Sequence, residues 1–168
     1  MSALDKNPTT LNYLTNVGYQ LSIKKCPGVS FFIQKTNLPG INSGSVPFPT
    51  PLATINQIPD HLSFEDFFVQ FKVDENLSNW LEIHNWMRGI SPTNDFSEYK
   101  NEKKRELRSD ILLTILDSSK NPKFVVTFQD CFPISLSGLQ FDSDVNDVTF
   151  ISSTVIFKYT LYKIEQIK

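Results

Sequence analysis

Residues 63–92, SFEDFFVQFKVDENLSNWLEIHNWMRGISP, change hydrophobic period at positions 74–76 with barely a turn between the two halves. Before the change, Phe67, Val69, Phe71 and Val73 alternate with Phe68, Gln70 and Lys72, the period of a strand with one buried face. After it, Leu77, Trp80, Leu81, Ile83, Trp86, Met87 and Ile90 recur at helical spacing. Asp74, Glu75 and Asn76 stand where an N-cap and first-turn acids belong, while Gly89 and Pro92 mark the end. A strand that feeds an amphipathic helix carrying two Trp predicts a helix packed on a sheet.

The rest of the chain reads as β. Tyr19, Leu21 and Ile23 form the apolar face of one strand, and Pro27-Gly28 is a turn signal. Val29, Phe31 and Ile33 are then expected on the next strand. SDILLTILDSSKNPKFVVTFQD predicts two strands about a turn at 117–122, the first apolar on both faces. CFPISLSGLQFDSDVND predicts a loop with one or two short strands. VTFISSTVIFKYTLYKIEQ predicts one long strand, with Val155, Phe157, Tyr159 and Leu161 on one face and Thr154, Ile156, Lys158, Thr160 and Tyr162 on the other. Residues 38–60 hold five of the ten prolines, which argues against long regular pairing before a short strand in LATINQI. Such a stretch is either a surface loop or a functional element.

The expected fold is mainly β: a barrel or sandwich of about seven or more strands with one flanking α-helix. A single domain spans 1–168, with 1–16 a flexible N-terminal arm. Fourteen Phe against two Trp predict a core of Phe and aliphatic side chains.

Charge and motif content argue against several functions. A net charge of −2 offers no basic field for nucleic acid. The polar start MSALDKNPTT lacks a signal-peptide core, and no run approaches the ~18 apolar residues that span a bilayer. Cys26 and Cys131 are expected as buried, reduced thiols. His61 and His84 have no partners at metal-ligand spacing. Phosphate-binding glycine loops and a nucleophile elbow are absent, and Glu65-Asp66 and Asp74-Glu75 read as solvated surface or a helix cap. These observations predict a non-enzymatic protein without cofactor or metal. Exposed strand edges and a proline-rich excursion instead suggest contact with copies of itself. A ligand-binding β-barrel, its aromatics lining a cavity, is the competing reading.

The ordered set of strands, LPG, a Pro-rich loop, FEDFFVQFKVDENLSNWLEIHNWM, a charged loop, a hairpin and CFPISLSGLQFDSDVNDVTFISSTVIFKY resembles the tail tube proteins of contractile-tailed bacteriophages. The likeness covers roughly residues 17–162 and rests on the order of segments, among them Phe132-Pro133 before GLQFD and an acidic turn at 142–147. It implies homohexameric rings whose sheets join around a lumen. The rings stack as, or cap, an inner tube within a sheath, and phage DNA passes through without sequence-specific binding. It further implies a virion tail protein made in the host cytoplasm, with sheath, baseplate or tail terminator proteins as partners and no membrane association.

On this resemblance, Pro39, Gly40, Pro47, Phe48 and Pro49 would contact a neighbouring ring. Lys100, Lys103, Lys104 and Arg105, with the N-terminal arm, would contact neighbouring subunits or rings. Thr154, Lys158 and Thr160 would face the lumen, although the sequence leaves open which face of that strand does so. The arm before Asn16 and the proline density at 39–59 depart from plainer tube proteins. They admit a tube initiator, baseplate or terminator ring as alternatives, alongside the tube protein of a bacterial contractile secretion system.

Overall fold

In a computed structural model, which describes residues 13–91, 107–142 and 150–167, the alternating segments pair into one antiparallel sheet that bends around a core. The elements in chain order are β1 (Tyr19–Ile23), α1 (Pro27–Phe31), β2 (Ile33–Thr36), β3 (Ile41–Asn42), β4 (Val46–Pro49), β5 (Thr54–Gln57), β6 (Ser63–Phe64) and β7 (Phe67–Lys72). They continue with α2 (Ser78–Ile90), β8 (Ser109–Leu116), β9 (Pro122–Leu136), β10 (Ser152–Lys158) and β11 (Leu161–Gln166). Seven strands form the main sheet in the order β1-β8-β9-β10-β7-β2, with β11 also paired to β9. Two small ribbons, β3-β6 and β4-β5, stand apart from it. This is the mainly β fold with a flanking helix that the periodicities predict.

The 15-residue strand β9 makes the bend. Its first part pairs with β8 and β11, its last part with β10. Between them Asp130 adopts φ 56° and the buried positions change parity, from Val126 and Phe128 to Cys131 and Pro133. The register to β8 slips at the same place, from Ile111↔Phe128 to Ser109↔Cys131. One extra residue in one strand is a β-bulge, which bends the strand and re-aims its side chains. The Asp130 N–H donates to the Asp110 carboxylate at 3.1 Å, which holds the bulge.

The core inside the bend is aromatic and aliphatic. Phe67 stacks on Phe128 at 4.3 Å and lies 6.2 Å from Phe157, which in turn meets Trp86 of α2 at 5.9 Å. Leu21, Ile23, Val69, Phe71, Ile83 and Ile111 are among the other buried members of this core. Among the described residues, the aromatics of β7, β9, β10 and α2 thus pack on one another in the core. A cleft of about 620 Å³ lies instead between β1 and α1-β2, lined in part by Val17, Tyr19, Phe31 and Ile33. Cys26 and Cys131 are buried and not disulfide-bonded.

Four expectations need correction. Pro27-Gly28 opens a single helical turn, α1, and not a strand: Pro is favoured at a first helical position, so Val29 is buried while Phe31 is exposed. Residues 131–136 continue β9 through Pro133; the second half of β9 pairs with β10, so its other edge can accept a residue without an N–H. The long final strand is two strands, because the chain turns at Tyr159-Thr160 and the Thr160 N–H donates to the Gln129 carbonyl at 3.1 Å. Finally, α2 has Leu77 in the left-handed region as its N-cap (φ 57°) and no acid in its first turn.

The abrupt strand-to-helix junction depends on one residue outside the apolar pattern. Buried Asn79 donates through Nδ2 to the Lys72 carbonyl at 2.8 Å, and its Oδ1 accepts the Asp74 N–H at 3.2 Å. It thereby pairs backbone groups left over where β7 ends. Asn79→Ala is expected to cost about 1–3 kcal/mol, because buried polar groups lose these partners. Urea unfolding should show a lower midpoint at unchanged slope.

Candidate assembly interface

Between β2 and β7 the chain leaves the body and returns as a β-arm, residues 37–66. Its base is anchored on both sides. The Asn37 side chain donates to the Asp66 carbonyl at 3.0 Å and accepts the Phe68 N–H at 2.9 Å. Across the two rails, the Glu65 N–H donates to the Gly40 carbonyl at 3.1 Å, and the Gly40 N–H donates to the Glu65 carboxylate at 3.2 Å. A Cβ on Gly40 would sit 3.0 Å from that carboxylate, so the close approach suits glycine. The β3-β6 ribbon follows (Ile41↔Phe64, Asn42↔Ser63), and Gly44 at φ 65° permits the bend into β4.

Prolines and pairing coexist in the arm because they alternate. The Thr50 N–H donates to the Ala53 carbonyl at 2.9 Å, which fixes the phase of the ladder. Phe48↔Ile55 and Val46↔Gln57 are then hydrogen-bonded pairs, and Pro47 and Pro49 fall opposite Asn56 and Thr54 at positions that need no donor. One face of the ribbon carries Val46, Phe48 and Ile55; the other carries the prolines, Thr54 and Asn56. Every residue of β4 and β5 is exposed. Leu52, at 100% exposure, lies in the turn at the tip, and Ile58, at 95%, follows β5 on the return rail. A two-stranded ribbon is marginal alone in water, and contiguous exposed apolar side chains of this kind make it the candidate contact surface.

Two tyrosines from the β10-β11 corner reach the arm's base. The Tyr159 hydroxyl donates to the Glu65 carbonyl at 2.9 Å, and the Tyr162 hydroxyl to the Pro39 carbonyl at 3.2 Å. Their rings pack on Phe64 at 5.9 and 5.6 Å and on Phe128 at 5.1 and 5.6 Å. Lys158 forms an ion pair with Asp66 beside them. Both partners are about half exposed, so the pair adds little stability.

The residues predicted from sequence distribute unevenly. Pro39 and Gly40 lie at the arm's base, and Pro47, Phe48 and Pro49 in β4. Thr154 and Lys158 share the outward face of β10 with Ile156, opposite buried Ser153, Val155 and Phe157. Thr160 is not with them: it lies in the turn where the chain changes partners. Tyr162, expected beside it on the outer face, packs on the core. Lys100, Lys103, Lys104 and Arg105, and the arm 1–16 up to residue 12, lie outside the described residues. Among the described residues no group of three or more His, Cys, Asp or Glu is placed to hold a metal. His61 pairs with exposed Asp60 at 2.8 Å, and His84 stacks on Trp80 at 5.0 Å.

Burial pushes the Cys131 thiol from an ordinary value near 9 to about 12. Burial, then the neighbouring Tyr162, raises the Tyr159 hydroxyl from 10 to about 12. Both groups bind protons more tightly when folded, so the folded state holds more protons above pH 9 and stability falls as pH rises towards 12. Thermal unfolding is expected to shift down from pH 9 to pH 11, and Cys131→Ala to flatten the first part of that fall.

Comparison with known proteins gives a consistent result. A profile of the phage tail tube protein family matches residues 4–165. The chain is 25% identical over 137 residues to the tail tube terminator protein of Enterobacteria phage T4, covering 79% of this chain and 76% of that one. Among solved structures, the tube-terminating cap of the anti-feeding prophage superposes with a TM-score of 0.69 at 10% identity, over 99% of this chain and 100% of that one. The sheath/tube terminator of the PVC extracellular contractile injection system gives 0.65 at 13% identity, over 93% and 99%. At these identities the two structures show a shared fold.

Proposed function

The chain belongs to the phage tail tube protein family, and from that premise we propose that it forms the ring that terminates the tail tube. It is a structural, non-enzymatic protein of the tail. Six copies would close into a ring around the lumen through which DNA leaves, with the last ring of the tube below and the sheath around it. The observation that carries the terminator role is the 25% identity to the T4 terminator across 79% of the chain. The fold of two terminator structures is compatible with it.

The β-arm supplies the docking element in this reading. Its exposed apolar face would be buried against the adjoining tube ring, where each Phe, Val or Ile removed from water is worth about 1.5–3 kcal/mol. The outward face of β10, with Thr154 and Lys158, is then a candidate lining of the lumen. Heterologous contacts between neighbouring copies close the ring.

Phage assembled without this protein test the role. Tubes of unregulated length are expected, since nothing would stop the addition of rings. Complete loss of tubes would identify a main tube subunit instead, and tubes of normal length would contradict the proposal.

A further inference from the structure

We infer that Tyr159 and Tyr162 are positioning residues that set the direction of the β-arm, an inference that rests on the arm's proposed docking role. The arm has two rails, and each rail receives one hydroxyl. Pro39 belongs to the outgoing rail and Glu65 to the returning one, and their carbonyls accept from Tyr162 and Tyr159 respectively. Both tyrosines flank Thr160, whose N–H is tied to Gln129 next to the bulge in β9. The arm is thereby fastened to the bend of the main sheet, while among the described residues its tip ribbon pairs only with itself.

Leverage makes this fastening matter. At about 3.3 Å per residue, Phe48 can lie up to about 25 Å beyond Gly40, so a swing of roughly 10° at the base moves it by about 4 Å. A free arm would also lose conformational entropy on docking, which weakens binding unless its direction is set beforehand. The aromatic packing on Phe64 and Phe128 locates the tyrosine rings, and the hydroxyls convert that location into an angle for both rails.

The test uses nitroxide labels on Leu52→Cys at the fully exposed tip and Lys123→Cys on the body, with distances from double electron–electron resonance. Buried Cys26 and Cys131 leave the introduced thiols as the reactive ones. In Tyr159→Phe/Tyr162→Phe the rings stay and the hydroxyls go. The distance distribution is expected to become about twofold wider, and the affinity for purified tube ends to fall about tenfold from the loss of two hydrogen bonds. An unchanged width would overturn the inference; a wider distribution with unchanged affinity would overturn the link from arm direction to docking and leave the hydroxyls' hold on the arm standing. The single Phe variants give the same readout if the double variant does not fold. Phe48→Asp/Ile55→Asp serves as the separate test of docking. If that variant still binds tube ends, the docking role fails, while the distance widths still decide whether the hydroxyls hold the arm.

Discussion

Phe67→Ala is expected to destabilise the protein by about 3–5 kcal/mol, the cost of deleting a large aromatic from a packed core. Phe67 is fully buried, stacks on Phe128 at 4.3 Å and pairs across the ladder with Phe157. It therefore joins the two halves of the bent sheet, one supplied by the first part of β9 and the other by β7 and β10. A loss of this size is a large share of the roughly 5–15 kcal/mol that holds a typical domain together. Phe68→Ala, one residue along the same strand, removes a side chain that is 37% exposed. Its effect should be much smaller, since it opens no cavity in the core. Thermal and urea unfolding of the pair measure the difference, and similar losses at both positions would mean that the inward face of β7 is wrongly assigned.

The largest functional effect is expected in the arm. Phe48→Asp/Ile55→Asp places two carboxylates on the apolar face of the β4-β5 ribbon, where the two residues are directly paired. Both are more than half exposed and outside the core, so global unfolding should change by less than about 0.5 kcal/mol per substitution, although like charges directly opposite weaken the ribbon itself. Docking should suffer far more. Two side chains worth about 1.5–3 kcal/mol each correspond to a loss of at least about 100-fold in affinity for tube ends. Sedimentation of fluorescent protein with purified tubes measures it. An unchanged melting temperature together with lost binding separates an interface effect from unfolding.

The legibility of this chain in its sequence follows from the range over which each feature is determined. Strands β1, β7 and β8 and helix α2 were readable because an alternation or a helical stripe is a local pattern. The single turn of α1 was not, since five residues are too few to show a period and Pro-Gly signals a turn as well as a helix start. The break at Tyr159-Thr160 leaves the alternation of VIFKYTLY nearly undisturbed, because it is imposed by a contact with Gln129 on another strand. Asn79 escapes the local pattern for a different reason: a buried Asn on an amphipathic helix resembles a surface position until its two backbone partners are known.

The site divides in the same way. The prolines of 39–59 identified the segment, but its exposed apolar face depends on the phase of the β4-β5 ladder. The hydroxyl contacts at its base join residues 94 and 123 positions apart, a separation that no local pattern records.

The most direct test of the terminator role is electron microscopy of gold-tagged protein mixed with purified tail tubes whose ends are free. The expected result is one six-fold ring at a single end of each tube, after which added tube subunits no longer extend that end. Tagged protein distributed along the tube, or tubes that carry none of it, would contradict the role.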